Sequence, residues 1–123
     1  MVTAVAFSPD GTTVITGCDD KRARLWDAAT GRQLGQPLTH QGQVKAVAFS
    51  LDGTIVITGC DDKRARLWDA ATGRQLGQPL THQGAVSAVA FSPDGTTVIT
   101  GSDDNRARLW DASTGRPLSL IHI

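Results

Sequence analysis

Residues 44–80 read V-K-A-V-A-F-S-L-D-G-T-I-V-I-T-G-C-D-D-K-R-A-R-L-W-D-A-A-T-G-R-Q-L-G-Q-P-L, and this stretch decides the fold. Val44–Ser50 is nearly continuous apolar sequence, the pattern of a strand covered on both faces. The turn Leu51-Asp52-Gly53 follows, then a second β-branched run, Ile55–Cys60. Polar Asp61-Asp62-Lys63 marks another turn before a third strand around Ala65–Asp69. After Ala70-Ala71-Thr72-Gly73 comes a weaker fourth segment, Arg74–Leu80, whose Gln, Gly and Pro suit an exposed edge strand. Four short antiparallel strands are therefore expected in this one unit.

The unit recurs. Phe7, Phe49 and Phe91 are spaced by the same interval as Trp26, Trp68 and Trp110, a period of 42 residues. Residues 2–43 aligned on 44–85 differ at only four positions: Thr3/Lys45, Pro9/Leu51, Thr13/Ile55 and Gln43/Ala85. A third copy begins at Val86 and follows the others until Ser119. A period of this length signals stacked or radially arranged units, none able to bury its own faces alone. Four-stranded units in radial repetition make a β-propeller.

Composition agrees. All 12 acidic residues are Asp and none is Glu, which favours turns over helices, and 13 glycines supply the tight corners. Twelve basic residues balance the acids, so a net charge of zero offers no footprint for a nucleic-acid backbone or an anionic membrane surface. No apolar run approaches the roughly 18 residues needed to span a bilayer, and Val2–Ser8 lacks the charged leader of a secretory signal. The expected location is cytoplasmic.

The segments H-Q-G-Q-V-K-A-V-A-F-S-L-D-G and D-D-K-R-A-R-L-W-D resemble the WD40-repeat family, three times over and across essentially the whole chain. One departure is Thr39 and Thr81 before the histidines, where the family usually has Gly. The resemblance implies an all-β segment of three four-stranded antiparallel blades, at about 2–38, 44–80 and 86–122, arranged as an open arc or partial ring. It also implies a hydrogen-bonded structural tetrad in each blade: His40, Thr58, Asp62 and Trp68 in the middle one; His82, Thr100, Asp104 and Trp110 in the last. Blade one has Thr16, Asp20 and Trp26 without a histidine.

Tetrad chemistry is sound in its own right. A buried indole N–H needs an acceptor, a hydroxyl both donates and accepts, and a carboxylate can orient an imidazole. The same residue types could form a nucleophilic triad. However, the set is complete twice and partial once, whereas an active site needs one copy, so a structural role and no enzymatic activity are expected. The pairs Asp19-Asp20, Asp61-Asp62 and Asp103-Asp104 fit tight turns better than a cation site, because no loop of alternating acids follows. No metal or cofactor is expected. Cys18 and Cys60 occupy equivalent positions, with Ser102 in the third copy, which suggests a small slot, free thiols and a reducing compartment. Arg24, Arg66 and Arg108 are expected to lay their stems over apolar surface and to pair with Asp.

Copies differ at 3/45/87 (Thr, Lys, Ser) and at 43/85 (Gln, Ala). By the resemblance, Thr3, Lys45, Ser87, Gln43, Ala85 and the series Asp19, Asp61, Asp103 lie on the top face of the disc, where such propellers bind partners. Selected diversification and free drift both account for the differences. The function expected is a non-catalytic protein–protein interaction scaffold that binds a protein or peptide through these loops. Two alternatives accompany it: a propeller unit that completes its ring by homo-oligomerisation, or the sensor repeats of a larger signalling NTPase or kinase. The chain has neither G-x-x-x-x-G-K-[ST] nor H-R-D of its own. Three blades fall short of the usual four to eight, so further blades in cis or other copies of the chain are expected. Leu118–Ile123 departs from the repeat, which leads to the expectation that the natural protein continues past position 118 and that this tail is artefactual.

Overall fold

A computed structural model of the protein describes residues 1–122, and within them lie twelve β-strands and no helix. Ile123, the last residue of the divergent tail, is outside the described residues. The strands are β1 (Val2–Phe7), β2 (Thr13–Cys18), β3 (Arg22–Asp27), β4 (Gln33–Thr39), β5 (Val44–Phe49), β6 (Ile55–Cys60), β7 (Arg64–Asp69), β8 (Gln75–Thr81), β9 (Val86–Phe91), β10 (Thr97–Ser102), β11 (Arg106–Asp111) and β12 (Pro117–His122). They form three four-stranded meanders, β1–β4, β5–β8 and β9–β12, antiparallel throughout. The sheets do not close on one another. The divergent tail serves as the fourth strand of the last sheet.

Local chemistry explains the corners. At the turn from the first to the second strand of each sheet, Ser8, Ser50 or Ser92 donates its hydroxyl to the Asp two residues on and accepts the N–H that re-enters the sheet, as when Ile55 N donates to Ser50 Oγ at 3.1 Å. The outer strands β4 and β8 carry a glycine at positive φ, Gly35 (69°) and Gly77 (68°), where their register against β3 and β7 shifts. A side chain there would be strained, so glycine sets a bulge that bends the outer edge.

Packing runs between sheets. Ile15, Ala23, Leu25 and Leu38 of the first sheet meet Val44, Val56 and Trp68 of the second. Ile57, Ala65, Leu67 and Leu80 of the second meet Val86, Val98 and Trp110 of the third, each residue 42 positions later. The inner strands β1, β5 and β9 are neighbours, and β2 and β6 also touch the next inner strand. Close approach depends on glycine: a methyl group at Gly17 would fall 2.7 Å from Val44 Cγ1, and one at Gly59 would fall 2.8 Å from Val86 Cγ1. Each contact buries apolar area at roughly 25 cal/mol per Å², so a sheet is stabilised chiefly by the sheet beside it.

Candidate functional site

In the middle sheet the tetrad residues converge on one hydroxyl. Trp68 Nε1 donates to Thr58 Oγ1 at 3.0 Å, and His40 Nε2 lies 2.7 Å from the same oxygen. His40 Nδ1 is 2.9 Å from the Leu38 carbonyl. A carbonyl only accepts, so Nδ1 carries the proton and Nε2 offers its lone pair to the Thr58 O–H. Thr58 thereby accepts from the indole and donates to the imidazole, and every polar atom of the three is satisfied. The last sheet repeats the arrangement: Trp110 Nε1 to Thr100 Oγ1 2.9 Å, His82 Nε2 to Thr100 Oγ1 2.6 Å, His82 Nδ1 to Leu80 O 3.1 Å. In the first sheet Trp26 donates to Thr16 at 2.9 Å, and that hydroxyl reaches only the Arg24 carbonyl at 3.5 Å.

The aspartate does not join this chain of bonds. Asp62 accepts from Arg66 Nη2 at 2.6 Å and from the Arg64 backbone N–H at 3.1 Å, while the Leu38 carbonyl takes the imidazole proton expected to fall to it. Asp104 with Arg108 (3.1 Å) and Asp20 with Arg24 (2.7 Å) repeat the pairing. The arginines therefore pair with Asp as expected, and the partner in each blade is the Asp four residues earlier. Burial is the largest single influence on Asp62 and opposes its ionisation, but the Arg66 guanidinium, the Cys60 thiol and the Arg64 N–H together outweigh it and hold the carboxyl below its usual range. The Arg24 hydrogen bond lowers Asp20 to about 2.

Burial pushes the His40 imidazole down to about 4, against the smaller opposing pull of the Leu38 carbonyl; His82 is lowered for the same reason. A protonated His40 would aim an N–H at Thr58 Oγ1, displacing the only hydrogen-bond donor that hydroxyl offers. Thr58 and Thr100 are fully buried, so neither hydroxyl can meet a substrate. Cys60 is buried, Cys18 partly so, both thiols are free, and burial pushes the Cys60 thiol up. Among the described residues no cluster of His, Cys and Asp is placed to hold a metal ion.

The residues assigned to the top face do gather at one end. The Asp61 N–H donates to the Gln43 carbonyl (2.8 Å) and the Asp103 N–H to the Ala85 carbonyl (2.9 Å), so each pair sits side by side. Asp19 makes the same backbone bond to Met1 and an exposed ion pair with its ammonium at 2.7 Å. The approach of these turns needs glycine at 42, where a Cβ would lie 3.1 Å from the Asp62 backbone nitrogen. Lys45, Ser87, Gln43, Asp61 and Asp103 are exposed, and Ala85 and Asp19 partly so. Thr3 is exposed too, but its hydroxyl is engaged by the carbonyls of Gly17 and Val44, where it bridges the first two inner strands. Sequence reasoning put Lys63 in a turn but missed the left-handed backbone at Lys21, Lys63 and Asn105, which close the β2–β3, β6–β7 and β10–β11 turns at φ of 72°, 73° and 66°. The carbonyls of Lys21 and Lys63 receive the His40 and His82 backbone N–H groups at 2.9 and 2.8 Å and lock the chain as it crosses between sheets. Asn in the third copy, a residue that tolerates the left-handed region, was the available signal.

The model of the family described as "WD domain, G-beta repeat" matches residues 1–27, 31–69 and 73–111. The chain belongs to the WD40 repeat family. Residues 31–69 and 73–111 each run from the fourth strand of one sheet through the first three strands of the next, so these two WD40 repeats straddle two blades and tie them covalently, while residues 1–27 lie within the first sheet. Among solved structures, the chain is similar to the computationally designed Ika8 protein (34% identity, TM-score 0.86), covering 98% of this chain and 36% of that one. It is also similar to the RRP9 WD40 repeats (23% identity, TM-score 0.93), covering 99% of this chain and 38% of that one, a likeness of fold. The chain spans little more than a third of either. No curated protein matches it. WD40 repeats are in general non-catalytic scaffolds for protein interaction.

Proposed function

We propose that this WD40 segment is a rigid platform without catalytic activity that binds a protein or peptide across its top rim. Contact side chains would come from Lys45, Ser87, Gln43, Ala85, Asp61, Asp103 and Asp19, with Thr3 contributing shape through its anchored hydroxyl. One observation carries the reading: these positions share one end of the sheets, with Gln43 backbone-bonded to Asp61 and Ala85 to Asp103, and they include two of the four sites where the first two copies diverge, while the Thr, Trp, Asp and Arg beneath are invariant from copy to copy. Rigid strands presenting short loops of mixed charge suit recognition of an extended, mixed-charge partner. Zero net charge supports neither nucleic acid nor a membrane surface as the target. Two free thiols support a reducing, cytoplasmic setting.

Panning a displayed peptide library on the immobilised chain tests the reading. Selected peptides should lose about tenfold or more in affinity with Lys45→Glu or Asp61→Lys, the scale of a central interface contact, and keep their affinity with Leu51→Ala at the opposite end. Peptides indifferent to both rim changes, or weakened as much by Leu51→Ala as by the rim changes, would overturn it.

A further inference from the structure

Zero net charge conceals a separation between the two ends of the sheets. At the top end stand Lys45 and, on or just after the turns between second and third strands, Lys21, Arg22 and Arg24 with their counterparts 42 and 84 positions on, among which Asn105 replaces one lysine. Set against Asp19, Asp20 and their counterparts, these are nine bases and six acids, a surplus of three positive charges. The opposite end holds only Arg32, Arg74 and Arg116 beside six acids, Asp10, Asp27 and their counterparts. Those acids are engaged by their own turns: Asp52 accepts the Ser50 hydroxyl and the Thr54 N–H, and Asp69 accepts the Ala71 and Thr72 N–H groups. At the top, Asp20, Asp62 and Asp104 are taken by arginine. What remains differs between blades. From the first strand outward, the middle blade presents Lys45, Asp61 and Lys63-Arg64, all exposed and, among the described residues, none in an ion pair. The third blade presents Ser87, Asp103 and Asn105-Arg106 at the same places.

We infer that the rim of the middle blade takes a net-acidic stretch of peptide, with one acid over Lys45, a base or amide over Asp61 and acids over Lys63 and Arg64. The inference rests on the platform reading above and names the chemistry of its partner. The strand order β5-β6-β7 puts Lys45 and Arg64 two strand spacings apart, roughly 10 Å, which about three residues of extended chain span. The matching sequence therefore carries acids about three residues apart with a basic or amide residue between them. Its carboxylates meet an exposed guanidinium able to bind them through two N–H groups at once. The support is already stiff: the Asp61 N–H is held by the Gln43 carbonyl at 2.8 Å, the Arg64 N–H by Asp62 at 3.1 Å, and the Lys63 carbonyl by the His82 N–H at 2.8 Å. Binding then has only side chains to order. A nucleic-acid strand fits this rim less well. Phe49 pairs with Val56 and Val56 with Trp68 toward the opposite end of the sheet, so neither ring is placed for a base to stack on, and Asp61 interrupts the positive track.

Panning a displayed peptide library of even composition on the whole chain tests this. Bound peptides should be richer in Asp and Glu than the starting library, and their affinity should fall as salt is raised. The double variant Lys45→Ser with Lys63→Asn copies the rim the third blade already carries, so it should fold, which circular dichroism checks. It should weaken the selected peptides about tenfold or more. Arg32→Gln with Arg74→Gln removes as much charge from the opposite end and should leave their affinity unchanged. Equal losses in the two double variants would overturn the inference, because overall charge and not this rim would then be at work. So would a single-stranded DNA oligonucleotide that binds as tightly as the peptides. Peptides with no excess of acid that still weaken with Asp61→Lys would overturn it while leaving the platform reading in place. A library that yields no rim-dependent peptide would sink both.

Discussion

The first and middle blades differ at four positions in 42, yet they sit in different physical worlds. Val2 is 57% exposed and Val44 is fully buried. The Arg24–Asp20 pair leaves 21% and 39% of its side chains to solvent, while Arg66–Asp62 leaves 6% and 10%. None of the four substitutions lies at these residues. The difference comes from what stands next to each sheet: the middle blade has a neighbour on both faces and the first has one. Burial in this fold is a property of the junction and not of the repeat, so one sequence reads out as two energetic environments.

The largest expected effect breaks that contrast at tryptophan. Trp68→Ala should cost about 4 kcal/mol, as for a large buried aromatic side chain, whereas Trp26→Ala, half-exposed, should cost clearly less; urea unfolding of both variants checks this. Equal losses would mean that the neighbouring sheet does not set the environment.

The carboxylates come next. Asp62→Ala strands a buried guanidinium and should cost about 3 kcal/mol, while Asp20→Ala, breaking the exposed pair, should cost less than about 1 kcal/mol. The same melts in high salt should narrow the second figure and leave the first.

Acid acts on the blades that hold a histidine. His40 has a folded pKa of about 4, below its unfolded value, so between those limits the unfolded chain binds more protons. Its contribution to stability is complete above about pH 6.5 and is lost as pH falls toward 4; the full span corresponds to about 3 kcal/mol. His82 acts in the same direction. A pH series of unfolding midpoints should therefore steepen below neutrality, and His40→Gln should flatten it.

The smallest change concerns the crossing turn. Lys63→Asn, copying Asn105, should stabilise by about 0.5 kcal/mol by relieving a left-handed lysine at φ 73°, read as a small rise in melting temperature.

Much of this was legible from residue order. The strands of 44–80 lie within a residue of their expected limits, because alternation of β-branched runs with Asp-Gly and Asp-Asp turns is local chemistry. The convergence of Thr58 and Trp68 followed from the resemblance, and the indole's need for an acceptor made it physically reasonable. The carboxylate was harder. Asp62 could have served an imidazole or a guanidinium, and the choice rests on whether the Leu38 carbonyl reaches His40 Nδ1 first, a matter of how the chain crosses between sheets. Thr3, assigned to an open rim, turned out to bridge two inner strands for the same reason.

Residue order alone determined the period, the four strands per unit, the edge character of the Gln-Leu-Gly-Gln-Pro strands and the glycine corners, since each depends on a few adjacent side chains. Tertiary structure alone decided which copy of a valine is dry, which acid meets which base and which two faces stay open. Those outcomes depend on how the chain crosses from one sheet to the next and on what packs beside each sheet, and sequences nearly the same cannot announce by themselves which of them will have a neighbour.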